Sequence, residues 1–136
     1  MAKALGIDYG TKRTGIAITD ELQIIASCLT TVSTKQLDNY ISNLLKQHEI
    51  ECFVIGDPKN LDGSKTNSSH YVEIFVRKLK DTYPNIDIHR IDERFTSKIA
   101  KKSIIKSGVN RKKRQDKSLV DKISATIILQ SYLANK

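Results

Sequence analysis

Residues 5–20 read LGIDYGTKRTGIAITD, and this stretch decides what the rest of the chain must form. Two short β-prone runs flank a turn that holds Gly10 and several small polar or basic residues, a pattern typical of a β-hairpin. Asp8 lies in the first run between apolar neighbours, where a buried strand ordinarily carries an apolar side chain. A carboxylate there loses hydration and requires a cation, a metal or several hydrogen bonds. The stretch therefore predicts a sheet with a functional acid in it.

The segments after the hairpin predict a mixed sheet. IIASCLTTVS completes three antiparallel strands, and a helix from Ser33 or Thr34 then carries apolar residues at three- and four-residue steps. CFVIG and IDIHRI predict two more strands, with a helix from Ser68 or Ser69 between them. Because strands joined through helices run parallel, we expect an α/β fold: a five-stranded mixed sheet, three antiparallel strands and then parallel strands, flanked by helices.

The last third of the chain predicts two further helices. A basic helix runs from Thr96 or Ser97 through Lys106, and an apolar helix over about 118–134 should be well buried. No linker or internal repeat interrupts the sequence. Its length suits one core, so we expect residues 1–136 to form a single domain.

The formal net charge of +8 on 136 residues is concentrated in one segment. Residues 98–117 contain nine Lys or Arg and one acid. This cluster favours contact with nucleic-acid phosphates, and the alternative is a solvated face with a flexible loop. The segment has no interleaved aromatic residues for base stacking, which restricts the expected contacts to phosphates.

Composition also predicts the compartment. No stretch is apolar enough to span a membrane, and the first residues lack the pattern of a secretory signal, so we expect a cytoplasmic protein that binds no membrane. Cys28 and Cys52 lie among apolar or small neighbours, outside any metal-ligand spacing. This predicts two buried, reduced thiols.

Three carboxylate positions stand out against the basic background: Asp8, Asp121 at the start of the last helix, and Asp92 or Glu93 after IDIHRI. Each also has an ordinary explanation. Asp8 can cap the turn that follows it, Asp121 can complement the helix dipole as a first-turn acid, and Asp92 or Glu93 can form an ion pair with Arg94. Together they provide the oxygen ligands that Mg²⁺ prefers, and two such ions about 4 Å apart suit phosphodiester cleavage. Spacing in sequence does not bring them together in space, so both explanations stay open.

Four ordered motifs resemble a known family over nearly the whole chain: GIDYGTKRTGIAITD, VIGDPKNLDGS, DERFTS and VDKISATIILQSYL. They resemble the YqgF family of Holliday junction resolvase-like nucleases, which are implicated in maturing the small-subunit ribosomal RNA precursor. The resemblance implies a ribonuclease H-like fold with Mg²⁺ or Mn²⁺ as cofactor. It assigns Asp8, Glu93 and Asp121 as catalytic and metal-binding acids, with Asp92 as the alternative to Glu93.

The candidate contacts to nucleic acid come from the first turn, the loop after the fourth strand and the basic segment. They are Lys12, Arg13, Asn60, Arg94, Lys98, Lys101, Lys102, Arg111, Lys112, Lys113 and Arg114. The chain departs from the family pattern before the proline of the fourth-strand loop, where Asp57 replaces an apolar residue. Asp57 is then either an additional metal-site acid or, as we expect, a turn residue at the surface.

Three functions are compatible with these residues. The first is a metal-dependent nuclease that processes the 5′ end of pre-16S ribosomal RNA, acting on structured RNA as a monomer or weak homodimer. The second is a DNA endonuclease that resolves Holliday junctions with the same site, which requires a dimer. The third, from another class, is a non-catalytic RNA-binding or nucleotide-binding module, because an Asp-x-Gly-Thr hairpin also resembles the phosphate loop of sugar kinases.

Overall fold

The computed structural model describes residues 2–57, 67–92 and 117–134, and for residues 67–68 and 117–122 it describes the backbone alone. Five strands, three α-helices and a short 3₁₀ turn form in these ranges. The elements in chain order are β1 (Lys3–Asp8), β2 (Arg13–Thr19), β3 (Ala26–Ser33), the 3₁₀ turn (Thr34–Gln36), α1 (Leu37–Gln47), β4 (Ile50–Asp57), α2 (Asn67–Thr82), β5 (Asp87–Asp92) and α3 (Lys117–Ala134).

The five strands form one mixed sheet in the order β3-β2-β1-β4-β5. Strand β2 runs antiparallel to both β1 and β3, whereas β4 runs parallel to both β1 and β5. The predicted arrangement, three antiparallel strands followed by parallel ones, is therefore confirmed. The carboxyl ends of β1, β4 and β5 meet at one edge of the sheet, which we call the carboxyl edge.

Each face of the sheet is covered by a different set of helices. On one face, α1 and α2 bury Leu5, Ile7 and Phe53 in the larger core cluster. On the other face, α3 packs on small residues of the sheet, among them Ala4 and Ala17. Small side chains let the helix approach the strands closely, whereas the two-helix face is filled by large ones. Residues that alternate along β1 therefore face either α1 and α2 or α3.

The helix boundaries agree with the periodicity, but the predicted caps do not all form. Helix α2 begins at Asn67 and ends at Thr82, so Ser68 and Ser69 lie inside the helix and their predicted role as caps is wrong. At the start of the 3₁₀ turn, the Ser33 side chain makes no capping hydrogen bond, so the predicted role of Ser33 as a cap is wrong. The basic helix predicted over residues 96–106 lies outside the described residues.

The prediction of two buried thiols is half correct. Cys52 is buried beneath α3, but Cys28 is exposed. The reason is that, within the part of the chain that the structure describes, β3 is an outer strand and pairs with β2 alone. No helix of the described ranges is long and apolar enough to cross a membrane.

Candidate active site

Asp8 is the last residue of β1 and lies half-buried at the carboxyl edge. In the antiparallel pair of β1 and β2 it lies opposite Gly15. Alternation along β1 assigns it to a face: Leu5 and Ile7 belong to the core under α1 and α2, while Ala4 belongs to the core under α3. Asp8 therefore lies on the face that α3 covers.

Helix α3 crosses this face in the direction opposite to β1. At one end, the Cys52 Sγ near the start of β4 donates to Tyr132 Oη at 3.7 Å. At mid-strand, a Cβ added to Gly6 would lie 3.0 Å from the carbonyl oxygen of Ala125 and 3.0 Å from Leu129 Cβ. Glycine at position 6 is thus what allows the helix backbone to approach β1. From this contact, the part of α3 that leads to its amino terminus lies toward the carboxyl edge.

This crossing places position 121 near the end of β1. Asp121 precedes Ala125 by four helix residues, which advance about 6 Å, and Asp8 follows Gly6 by two strand residues, which advance about 6.6 Å. Both displacements from the contact of Gly6 with Ala125 run toward the carboxyl edge. The fold thus brings two of the three sequence-predicted acids, Asp8 and the backbone of Asp121, to the same edge and face.

The third predicted acid, Glu93, lies outside the described residues and directly follows the last residue of β5. Among the described side chains, no three His, Cys, Asp or Glu groups lie close enough to hold a metal ion. Neither Glu93 nor the side chain of Asp121 belongs to that set. The oxygen donors available at this edge nevertheless match the ligands that Mg²⁺ and Mn²⁺ prefer.

The two alternative acids, Asp57 and Asp92, lie at the same edge but on the other face. They end β4 and β5 and are paired in register, so the expectation that Asp57 is a turn residue at the surface is wrong. Arg90, two residues before Asp92, donates from Nη2 to Asp57 Oδ1 at 3.2 Å and from Nη1 to Glu73 Oε1 of α2 at 3.0 Å. These contacts place Arg90, and with it Asp57, on the face of α1 and α2. The structure does not bring Asp57 or Asp92 to the face of Asp8.

The turn after Asp8 is held by hydroxyl groups that sequence reasoning missed. Thr34 Oγ1 donates to the Gly10 carbonyl oxygen at 2.6 Å and lies 2.9 Å from Thr14 Oγ1. The Thr34 backbone N–H also donates to the Lys12 carbonyl oxygen at 3.0 Å. Thr14 is fully buried, a signal visible in sequence only as a threonine at an inward position of β2. Its pairing with Thr34 joins segments twenty residues apart, which periodicity does not reveal.

Glycine at position 10 is required by the same turn. A Cβ there would overlap the carbonyl oxygen of Arg13. The turn is therefore tight as well as tethered, and it presents the exposed side chains of Lys12 and Arg13 next to Asp8. Two predicted nucleic-acid contacts are thus placed at the carboxyl edge.

The remaining predicted contacts to nucleic acid lie outside the described residues. They are Asn60, Arg94, Lys98, Lys101, Lys102, Arg111, Lys112, Lys113 and Arg114. Tyr9, which follows Asp8, stacks on Phe75 of α2 with ring centroids 4.7 Å apart. Its ring therefore belongs to the core.

Comparison with known sequences gives a match over the whole chain. The sequence profile of a family described as "RuvX: Holliday junction resolvase" matches residues 2–135. A protein of Flavobacterium psychrophilum is 49% identical over 136 residues, and one of Bacteroides fragilis is 48% identical over the same length. Each alignment covers 100% of this chain and 99% of the relative. Both relatives carry the name "putative pre-16S rRNA nuclease".

Comparison with solved structures supports the fold. Thermus thermophilus RuvC in complex with a Holliday junction substrate has a TM-score of 0.59 at 13% identity, covering 99% of this chain and 96% of that one. A second Thermus thermophilus RuvC structure has a TM-score of 0.55 at 10% identity, covering 98% and 95%. At such identities the likeness concerns the fold alone, and it confirms the predicted ribonuclease H-like architecture.

Proposed function

Because the chain belongs to the RuvX (YqgF) family, we propose that it is a metal-dependent nuclease that processes the 5′ end of pre-16S ribosomal RNA in the cytoplasm. One observation supports the proposal: α3 approaches β1 closely at Gly6, and from this contact both the strand toward Asp8 and the helix toward position 121 run to the carboxyl edge. The full-length relatives named for pre-16S rRNA favour RNA as substrate. The net charge of +8 suits a polyanionic partner.

In this proposal Asp8, Glu93 and Asp121 hold Mg²⁺ or Mn²⁺ by their carboxylate oxygens. When bound, such cations neutralise the charge that develops on the phosphate oxygens during phosphodiester hydrolysis. Asp8 contributes a ligand on a central strand whose neighbours on both sides fix its backbone. Catalytic ligands require such rigid support, because small displacements cost large factors in rate.

The other residues of the edge bind and orient the substrate. Lys12 and Arg13 extend from a turn that Thr14 and Thr34 tether beside Asp8. They contact phosphates flanking the scissile bond. The basic residues of segment 98–117 extend this contact along the backbone of the RNA and add to affinity without reading sequence.

A second function is favoured by a specific observation. The family profile carries the description of a Holliday junction resolvase, and the fold is that of RuvC. A DNA endonuclease with the same three acids is therefore the alternative. It differs in substrate and requires two active sites in one assembly to cut a junction symmetrically.

The experiment that separates these functions uses the purified chain and two substrates. Precursor 16S rRNA and a four-way DNA junction are incubated in parallel with Mg²⁺, Mn²⁺ or EDTA. We expect the RNA to be cut near its mature 5′ end with either metal and to stay intact in EDTA. Preferential cutting of the junction selects the resolvase, and tight RNA binding without cleavage under any condition selects the non-catalytic module.

A further inference from the structure

The turn between β2 and β3, together with β3 itself, exposes an apolar surface. Six large hydrophobic side chains are exposed among the described residues, and four of them belong to residues 22–29. Their exposed fractions are 59% for Leu22, 68% for Ile24, 62% for Ile25 and 39% for Leu29. We name these four residues the β3 patch. Clustered exposed apolar side chains of this kind are typical of protein–protein contacts.

Hydrogen bonds hold the β3 patch in one conformation. Asp20 Oδ1 accepts from the backbone N–H groups of Ile24 at 2.8 Å and of Ile25 at 3.0 Å. Gln23 adopts a φ of 55°, and its Nε2 donates to the Ala2 carbonyl oxygen at 2.9 Å. Because the turn is already ordered, a partner that docks on it loses little conformational entropy.

The strand next to this turn lacks the usual protection of a sheet edge. In the described residues β3 pairs with β2 alone, so its other side is open. Residues 22–33 contain no charged side chain, whereas β5, the opposite outer strand, carries Asp87, Arg90 and Asp92. Charged side chains on an outer strand prevent it from pairing with another strand. The open side of β3 can therefore accept a second uncharged strand.

The charges at the two ends of β3 indicate which strand that is. The exposed Glu21 precedes the uncharged segment, and the exposed Lys35 follows it. Arg13, paired with Ser33, adds a second positive charge at the same end as Lys35. If a second copy is rotated about a two-fold axis so that the strands are antiparallel, the acidic end of each β3 faces the basic end of the other. The edge is thus complementary in charge to itself.

We propose that the chain forms a two-fold symmetric dimer in which β3 lies antiparallel to β3 of a second copy, so that the β3 patch of each copy contacts residues 27–34 of the other. Cys28 lies midway in sequence between Glu21 and Lys35. The arrangement therefore brings the exposed Cys28 thiols of both copies close to the two-fold axis. β1 is two strands away from β3, so the carboxyl edge with Asp8 stays open in the dimer.

Sedimentation equilibrium of the full chain under reducing conditions tests the dimer over about 1–200 µM, a range that spans weak to moderate association. We expect a concentration-dependent dimer that Ile25→Lys weakens at least tenfold. The matched control is Ile74→Lys on α2, where the side chain is 51% exposed, and it should leave the association unchanged. A wild-type chain that is monomeric throughout overturns the proposal, whether another protein binds the β3 patch or none does. Equal weakening by the control also overturns it.

Two further measurements test the antiparallel arrangement. A short bismaleimide should cross-link the wild-type dimer through Cys28 but not the Cys28→Ser variant, since Cys52 is buried. Glu21→Lys and Lys35→Glu should each weaken the dimer, and the double variant should recover the wild-type dissociation constant. A dimer that neither cross-links through Cys28 nor recovers in the double variant uses another surface, and the proposal is then wrong. None of these readouts depends on nuclease activity.

Discussion

At the scale of single residues, the candidate site depends on which face of a strand a carboxylate occupies. Asp8, Asp57 and Asp92 all end strands at the carboxyl edge. Only Asp8 shares the face of α3, because side chains alternate along each strand. The position of an acid along its strand therefore decides its face. Asp8 is a candidate metal ligand on the face of α3, whereas Asp57 forms an ion pair with Arg90 on the other face.

We predict that Asp57→Asn and Asp92→Asn retain nuclease activity. Their side chains lie on the face of α1 and α2, so neither loss of charge alters the proposed site. Cleavage rates should stay within about threefold of wild type, less than about 1 kcal/mol in transition-state free energy. Single-turnover cleavage of precursor rRNA provides the measurement. A loss of a hundredfold or more in either variant would move the site to the other face.

A second prediction at this scale concerns the turn between β2 and β3. Backbone hydrogen bonds from Ile25 and Ile24 lower the pKa of Asp20 from its ordinary value of 3.8. Since the folded-state pKa is depressed, the ionised carboxylate stabilises the fold above pH 3.8, and this contribution is lost as the pH falls through the folded-state pKa.

The Asp20→Asn variant isolates this effect, because it keeps an oxygen acceptor and removes the charge. Wild type should be the more stable protein at neutral pH, and the difference should disappear at pH values below the folded-state pKa. Urea denaturation across pH, with an NMR titration of the Asp20 carboxyl group, makes the comparison. If the difference in stability between wild type and Asp20→Asn were the same at all pH values, the backbone amides would not be stabilising the charge of Asp20.

At the scale of secondary-structure elements, the site depends on how closely α3 approaches β1. A Cβ at Gly6 would lie 3.0 Å from two atoms of α3, closer than ordinary van der Waals contact. We predict that Gly6→Val pushes α3 away from the sheet, destabilises the protein by about 1–3 kcal/mol and moves position 121 away from Asp8. Cleavage should then fall more than the loss of folded protein explains.

The matched control is Ile16→Val, which removes one methylene from the opposite core and typically costs about 0.5–1.5 kcal/mol. Ile16 is fully buried under α1 and α2. Urea denaturation measures stability, and cleavage rates are corrected for the folded fraction. If the two variants lose activity in proportion to stability alone, the close approach of α3 has no special role in the site.

Most elements of the fold could be predicted from the sequence, because each has a clear period. The alternation of β1 and β2 and the apolar stripes of α1 and α2 define elements that the structure confirms. Burial was less predictable: Cys28 lies in an apolar run, yet the run is an outer strand. A run of apolar residues shows strand character but not the position of the strand in the sheet.

The candidate site was predictable in its residue types and less so in its arrangement. The sequence indicates Asp8 through a local signal, because burying a carboxylate in an apolar strand costs free energy unless the group has a partner. It does not indicate that Asp92 faces away from Asp8, because the faces of β5 are set by tertiary packing, with Ile88 against the core under α1 and α2 and Ile91 against the core under α3. The hydroxyl pair of Thr14 and Thr34 is likewise a tertiary contact without a local pattern.

At the scale of the whole molecule, charge governs association with RNA. The net charge is +8, and residues 98–117 carry nine basic side chains. We predict that the logarithm of the RNA-binding constant falls linearly with the logarithm of salt concentration, with a slope of about −0.7 for each phosphate neutralised on single strands. Fluorescence anisotropy with labelled RNA in EDTA measures binding without cleavage.

The double variant Lys112→Gln, Lys113→Gln should reduce the magnitude of that slope by about 1.4, the amount expected for two phosphate contacts on a single strand. Lys78→Gln is the control, because the Lys78 ammonium is held by Asp38 at 2.6 Å on α1. It lowers the net charge without removing a proposed contact, so the slope should not change. A flat salt dependence of the wild type would contradict phosphate binding altogether.

The central claim is that Asp8 holds the metal at which RNA is cleaved. Its most direct test compares Asp8→Asn with wild type in single-turnover cleavage of precursor 16S rRNA with Mn²⁺, alongside RNA binding in EDTA. Removing a metal ligand should reduce the cleavage rate by a factor of about a hundred or more. RNA binding and thermal stability should stay close to wild type. A folded Asp8→Asn variant that cleaves at the wild-type rate would contradict the claim.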